Sequence, residues 1–285
     1  MTAATDLKTE AGLETALHVA VQAAHEAGRI QQEHVGRTHT IATKSSFSDL
    51  VTEVDGLCEA AIRGLIVQSY PDHAVLGEEE GEQGQEDAKY RWVVDPLDGT
   101  VNYAHGFPFY CVSIALERRT GAGAVRLLGV VYDATRGELF TATHSGPALL
   151  NGQPISVSGT LTLRTPALLS TGFPYDPGDS RNLGLLARLL AMGVPVRRPG
   201  AAALDLCYVA CGRLDGYWEL GLKPWDSAAG ALIVARAGGR VSDLAGVERP
   251  DGPVIVASNS LLHPELLSVL ETQPGAGRQE GEARP

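Results

Sequence analysis

Residues 92–102 read Trp92-Val93-Val94-Asp95-Pro96-Leu97-Asp98-Gly99-Thr100-Val101-Asn102. An apolar, buried-type strand runs into two carboxylates three residues apart. Pro96 fixes φ and reads as the point where the strand stops, and Gly99 permits a tight turn. Thr100-Val101-Asn102 then reads as a helix start whose free N–H groups point back at the same spot. Paired hard oxygen ligands beside a helix N-terminus suit divalent metal ions and a phosphate group. The motif alone also reads as a simple helix cap.

On the N-terminal side, Leu13, Leu17, Ala20, Val21 and Ala24 recur at helical spacing, ending near Gly28 or Ile30. A second helix reads through Val54, Leu57, Ala61, Ile62, Leu65 and Ile66. Strand-like runs follow at Arg91–Val94, Cys111–Leu116, Leu127–Tyr132, Glu138–Thr143 and Ala148–Leu150, separated by Pro and Gly. Beyond residue 165 the pattern alternates: strands at Leu168–Thr171, Val194–Val196, Leu214–Leu220 and Val254–Ala257, with helices at Asn182–Met192, Ala203–Gly212, Ser227–Ala237 and from His263. This predicts an α+β half over 11–155 with a largely antiparallel sheet, then an α/β half over 156–272. The first ten residues and the Gly-, Glu- and Arg-rich stretch 273–285 read as tails.

Bulk properties narrow the function. The chain has 285 residues, 44% hydrophobic and 20% charged, with a net charge of −11. That charge disfavours direct nucleic-acid binding, which needs Lys and Arg against the phosphate backbone. An acidic protein that handles phosphate esters has to recruit cations. No apolar run approaches the roughly 18 residues of a membrane span, and the N-terminal residues lack the signal-peptide pattern. With Cys58, Cys111, Cys207 and Cys211 free of any CxxC spacing, reduced buried thiols and a cytoplasmic location are expected.

Three further acidic clusters accompany Asp95 and Asp98. Glu78 lies at the end of the apolar run Ala74-Val75-Leu76, whereas Glu79, Glu80, Glu82, Glu86 and Asp87 read as a solvated loop. Asp226 precedes an Ala-rich helix and reads both as its N-cap and as a metal ligand. Lys44-Ser45-Ser46 leads to Asp49 and then Asp55, where Thr52 or Asp55 reads as a helix cap. The absence of His and Cys from these clusters favours a hard ion such as Mg²⁺ over zinc.

Five segments in order resemble the inositol monophosphatase family of magnesium-dependent, lithium-sensitive phosphatases: KSSFSDLVTEVD (Lys44–Asp55), LGEE (Leu76–Glu79), WVVDPLDGTVN (Trp92–Asn102), LDGYWEL (Leu214–Leu220) and WDSAAGALIVARAGG (Trp225–Gly239). The resemblance covers about residues 13–271. It implies a layered αβαβα sandwich, usually homodimeric, and two to three Mg²⁺ ions. By motif, Glu78, Asp95 and the Leu97 carbonyl match ligands of a first ion; Asp95, Asp98 and Asp226 match those of a second. A third, weaker ion lies near Glu78 in the family. Gly99 and Thr100 match the phosphate-receiving helix start, and Thr100 with Asp55 the pair that orients the attacking water. The implied chemistry is in-line hydrolysis by metal-activated water without a covalent phospho-enzyme. The three-residue spacing with Pro96 between also differs from the Asp pair of haloacid-dehalogenase-type phosphatases.

On the substrate side, Glu219 matches the residue that accepts hydrogen bonds from substrate hydroxyls, and also reads as an exposed strand-end glutamate. Gly200-Ala201-Ala202 matches the segment beside bound inositol, but Ala201 stands where the family usually has Ser or Thr. The Lys44–Asp49 loop resembles a mobile lid, with Lys44 either touching phosphate or metal-bound water, or exposed. Arg197-Arg198 reads as an interface, a solvent-facing pair or a phosphate attractor. The expected activity is hydrolysis of myo-inositol 1-phosphate or related polyol phosphates, with histidinol-phosphate, fructose-1,6-bisphosphate and 3′-phosphoadenosine 5′-phosphate as alternatives. Some bacterial relatives bind the transcription machinery, so a regulatory protein is the non-enzyme alternative.

Overall fold

Small apolar residues at helical spacing build the first element. Helix α1 (Glu10–His34) starts where the Thr9 hydroxyl accepts the Gly12 N–H at 3.1 Å, and it buries Leu13, Ala16, Ala20, Ala23, Ala24 and Ala27. It runs past Ile30, the expected end, because Gln31 on the same face is fully buried by a polar contact described below. The computed structural model describes residues 7, 9–44, 46, 49–121, 123–174, 178–248 and 252–271. The expected C-terminal tail, 273–285, lies outside them, as do Ser45, Phe47 and Ser48 of the loop after Lys44. Leu7 corrects the N-terminal tail reading: it is buried in the core beneath α1.

A short hairpin, β1 (Ile41–Thr43) and β2 (Leu50–Thr52), precedes helix α2 (Glu53–Ser69). Then come β3 (Ala74–Gly77), β4 (Gly81–Gln83), β5 (Tyr90–Asp98), the five-residue helix α3 (Thr100–Ala104), β6 (Cys111–Thr120), β7 (Gly123–Asp133), β8 (Glu138–Thr143), β9 (Leu149–Leu150) and β10 (Gln153–Pro154). The remainder is β11 (Leu169–Thr171), α4 (Arg181–Ala191), β12 (Val196–Arg197), α5 (Ala202–Ala210), β13 (Gly216–Leu220), α6 (Pro224–Arg236), β14 (Gly239–Ser242), β15 (Val254–Asn259) and α7 (His263–Leu270).

Strands β3–β10 form an eight-stranded sheet in the order β10-β9-β8-β7-β6-β5-β3-β4, antiparallel except for the parallel pair β3·β5. The second sheet has the order β12-β11-β13-β15-β14, with β11 parallel to both β12 and β13. Helices α1 and α2 cover the outer face of the large sheet over one apolar cluster, and α5 and α6 fill the space between the two sheets over a second. Helices α4 and α7 close the outer face of the small sheet over a third. The molecule is thus a mixed α and β fold in layers, with α, β, α, β and α stacked in turn. Covered on both faces, β5 is buried continuously from Trp92 to Asp98 instead of alternating.

The turn expected at Pro96 is absent. β5 continues to Asp98, and its pairing with β6 shifts register between Asp95↔Ser113 and Asp98↔Cys111. Two residues, Pro96 and Leu97, face one, Val112. Proline has no N–H to give the ladder, and a bulge tolerates that loss. The extra residue also matters for the side chains. In a regular strand, residues three apart point to opposite faces; the bulge brings both carboxylates to one.

Candidate active site

Asp95 and Asp98 lie at the end of β5, 2% and 9% exposed. Gly77 on the parallel neighbour β3 pairs with Val94, so Glu78 and Asp95 leave adjacent strands at the same level. Asp226 arrives from α6, where it is the third helical residue. Its Oδ2 accepts the backbone N–H of Lys223, the N-cap, at 2.6 Å, so the expectation that Asp226 is itself the N-cap is corrected. Ser113, opposite Asp95 on β6, donates to the Trp225 carbonyl at 3.2 Å and ties the start of α6 to the bulge.

Each carboxylate already has protein partners. Asp95 Oδ1 accepts the Leu97 N–H at 3.0 Å. Asp98 caps α5: its two oxygens accept the N–H groups of Ala202 at 3.2 Å and Ala203 at 2.7 Å. Glu78 Oε1 accepts from Lys44 Nζ at 2.8 Å, and Glu79 takes the same ammonium at 2.5 Å. Glu79 is therefore not a solvated loop residue, and Lys44, though exposed, lays its ammonium against Glu78 and Glu79. No three Asp, Glu, His or Cys side chains among the described residues enclose a common point as they stand.

The electrostatics of the cluster are unfavourable without a cation. Burial, and then the neighbouring charges of Glu78, Asp98 and Asp226, push Asp95 well above the usual carboxylate range. Burial raises Asp98 to about 7, although the Ala203 and Ala202 N–H groups oppose the rise. Asp226 is pushed well up by burial, then by Asp98, Glu78 and Glu219, against the Lys223 N–H. Glu78 is raised by burial despite Lys44. Two buried carboxylates (Asp95, Asp98), two half-buried ones (Glu78, Asp226) and one backbone carbonyl, with no imidazole among them, are donors of the kind that fits hard divalent cations. Neutralising such a cluster removes the desolvation and repulsion together.

Beside the cluster, α2 begins with a capping box. Thr52 Oγ1 accepts the Val54 N–H, and Asp55 Oδ2 accepts the Thr52 N–H at 2.9 Å and its hydroxyl at 2.6 Å. That occupies one Asp55 oxygen. The other, Oδ1, lies 3.0 Å from Thr100 Oγ1, which is also 3.1 Å from the Leu97 carbonyl. Asp55 and Thr100, paired by the resemblance across 45 residues, are in contact. Gly99 makes the turn into α3 at φ 96°, ψ 37°, and a Cβ there would press on the Phe109 carbonyl and Ala201.

The residues expected on the substrate side lie at the start of α5 and on β13. Gly200 and Ala201 precede α5, and Ala202 opens it. Asn102 Nδ2 holds that segment, lying 2.7, 2.9 and 3.3 Å from the carbonyls of Phe109, Pro199 and Gly200. Glu219 sits on β13, where Tyr217 donates to its Oε2 at 2.5 Å and burial raises its carboxyl to about 7. Arg197 and Arg198 are exposed, and the Arg197 guanidinium donates to its neighbour's carbonyl, Val196, at 3.3 Å.

Several supporting residues give no motif signal. Gln31, wholly buried on α1, donates to the Pro96 carbonyl at 2.9 Å and so fixes the apex of the bulge. Glu59, 1% exposed, accepts the N–H groups of Glu79 (2.8 Å) and Glu80 (3.1 Å) and pairs with Arg63 at 2.8 Å. Arg63 in turn donates to the Val75 and Gly81 carbonyls at 3.0 and 3.1 Å. This pair on α2 shapes the turn that carries Glu78. Polar residues on otherwise apolar helix faces were the available signal.

The sequence and the fold have counterparts among known proteins. The chain is 44% identical to an inositol-1-monophosphatase of Synechocystis, over 95% of this chain and 94% of that one. It is 42% identical to the Nus factor SuhB of Pseudomonas aeruginosa, over 90% and 95% of the two chains. Among solved structures, the extragenic suppressor protein SuhB of Bartonella henselae superposes with a TM-score of 0.84 at 38% identity, covering 90% of this chain and 98% of that one. The inositol monophosphatase of Anabaena gives 0.80 at 39% identity, covering 90% and 96%. The inositol monophosphatase family model matches residues 12–274, and the chain belongs to that family of phosphoric monoester hydrolases.

Proposed function

We propose that this protein hydrolyses small polyol phosphate monoesters with Mg²⁺, myo-inositol 1-phosphate foremost. The observation that carries the reading is the meeting of a buried, repelling carboxylate cluster with the Thr100–Asp55 pair. Glu78, Asp95 and the Leu97 carbonyl would hold one Mg²⁺, and Asp95, Asp98 and Asp226 a second, with a third ion near Glu78. Bound there, Mg²⁺ supplies Lewis acidity toward the phosphoryl oxygens and the leaving group. Asp55, with one oxygen committed to its helix cap, keeps the other for the Thr100 hydroxyl. That leaves the pair able to align a water molecule and accept its proton. The N–H groups at Gly99 and Thr100, which start a helix and lack intrahelical acceptors, suit the equatorial phosphate oxygens. Glu219 and the Gly200-Ala201-Ala202 segment would face the alcohol half of the ester. Ala201 has no hydroxyl to offer there, which lowers discrimination among polyols.

The division into halves near residue 155, a cytoplasmic location, lithium sensitivity and a homodimer belong to the same reading. No helix among the described residues is long and apolar enough to cross a membrane. Phosphate release should be followed for inositol 1-phosphate, histidinol-phosphate, fructose-1,6-bisphosphate and 3′-phosphoadenosine 5′-phosphate, with Mg²⁺ and with or without lithium. The proposal expects the fastest, lithium-sensitive release from inositol 1-phosphate; Mg²⁺-independent release would overturn the ion assignment.

A second reading rests on the relatives named Nus factor SuhB. In it the chain also binds the transcription machinery through protein contacts, since its acidity disfavours direct nucleic-acid binding. Capture of RNA polymerase equally by wild type and Asp95→Asn would support that role as separate from catalysis.

A further inference from the structure

Glu219 is held more closely than a substrate contact requires. Tyr217 and Glu219 alternate with Trp218 on β13, so both project from the same face of the small sheet, toward α5. The Tyr217 hydroxyl, on a wholly buried ring, donates to Glu219 Oε2 at 2.5 Å. The carboxylate also lies directly over Gly172, at the end of β11. A Cβ on Gly172 would overlap all three carboxylate atoms. Gly172 has no positive φ to explain its identity, so close approach is the constraint at that position. Its carbonyl is fixed from behind by Asn182, whose amide donates at 2.5 Å to it and at 2.9 Å to Thr171 Oγ1. Trp218 Nε1 closes the arrangement by donating to Asn182 Oδ1 at 2.5 Å.

We infer that Tyr217 and Gly172 are positioning and specificity-determining residues: together they pin one oxygen of Glu219 so that the other is left as a fixed acceptor for a hydroxyl of the substrate alcohol. This rests on the proposed role of Glu219 at the alcohol half of the ester. Oε1 has no hydrogen-bond partner within the protein among the described residues. A carboxylate free to rotate would accept from many donor positions. One pinned by a phenol and seated on a glycine accepts in a single plane, which selects hydroxyls at one distance from the phosphorus. The ligand class is therefore a phosphate monoester carrying a free hydroxyl on a carbon remote from the ester, and phenyl phosphate is the control that lacks it.

Wild type, Tyr217→Phe, Gly172→Ala and Glu219→Gln would be compared on inositol 1-phosphate and phenyl phosphate with Mg²⁺. Tyr217→Phe keeps the ring and its packing. It is expected to raise KM for inositol 1-phosphate about 10- to 150-fold, the scale of one hydrogen bond to a charged group, and to leave kcat and all phenyl phosphate constants near wild type. Gly172→Ala should act in the same direction with a correctly folded circular dichroism spectrum. Equal losses on both esters in Tyr217→Phe would overturn the inference and mark Tyr217 as structural. If Glu219→Gln itself spares inositol 1-phosphate, the reading of Glu219 fails instead. If Glu219→Gln discriminates but Tyr217→Phe and Gly172→Ala do not, Glu219 stands and its pinning is refuted.

Discussion

The acidic floor and the wall around Glu219 are built on opposite principles. The floor (Glu78, Asp95, Asp98, Asp226) gathers like charges that raise one another's proton affinity and burial that disfavours all of them. The wall (Thr171, Gly172, Asn182, Tyr217, Trp218, Glu219) pairs its side-chain donors with acceptors at 2.5–2.9 Å and leaves Glu219 Oε1 open. The floor is destabilising as it stands and acquires its value from what it binds; the wall is satisfied apart from one Glu219 oxygen and lends its rigidity to that carboxylate. A site can therefore store ligand affinity in one region and shape selectivity in the other.

The largest expected effect breaks the floor. Asp95→Asn should take Mg²⁺-dependent phosphate release to background. It should also leave the metal-free melting temperature equal or higher, because one buried like charge is gone. A clear loss of metal-free stability would mean that the floor is a structural element after all. Next, Gln31→Leu removes the donor that fixes the Pro96 carbonyl. A titration of activity against Mg²⁺ should show apparent affinity falling about 10- to 100-fold, as for other residues that orient ligands from behind.

The wall is tested by stability. Asn182→Leu leaves the Trp218 N–H and the Thr171 region without their partner. Denaturant melts should show a loss of about 1–3 kcal/mol, with the Mg²⁺ dependence of the remaining activity unchanged. The smallest effect is the pH response of the metal-free protein. Asp98 is raised to about 7 by burial, so the folded state holds its proton where the unfolded chain has lost it. Stability is fully present below the ordinary carboxylate pKa of about 4 and is lost as pH rises through about 7. Calorimetry at pH 5.5 and 8 should find the lower melting temperature at pH 8, and saturating Mg²⁺ should shrink the difference. Apparent Mg²⁺ affinity should tighten over the same rise, since binding displaces protons.

The floor was the legible part of this molecule and the wall largely was not. The floor comes from contiguous motifs, and Asp95, Asp98 and Thr100 are near one another in the chain as well as in space. Even there local rules misled at two points. Pro96 read as a strand terminator, but the bulge opposite Val112 absorbs it. Asp226 read as an N-cap, but it lies two residues inside the helix and caps backwards onto Lys223. The helices and central strands followed from apolar periodicity, because burial on one face imposes it. Periodicity is silent about polar residues on buried faces. Gln31, Glu59, Asn102 and Asn182 each work through partners between 4 and 98 residues away, and only the assembled layers bring those partners within reach. The pairing of Tyr217 with Glu219 was visible as i, i+2 spacing on a strand, whereas the glycine beneath them came from another strand.

Asp98 belongs to two assemblies at once. It is part of the acidic floor, and its oxygens also seat the first turn of α5, 104 and 105 residues away in the sequence. In mechanical terms it is a joint, and its charge decides how tightly the central helical layer is clamped to the large sheet. A neutral Asp98 grips α5 with a weaker acceptor; a charged one, balanced by a cation, grips with a full one. Filling the floor should therefore stiffen a helix that supplies none of the proposed ligands. The helix carries Ala202 at its start, so under the proposed function the segment assigned to the alcohol would be set in place by the same event that readies the phosphate.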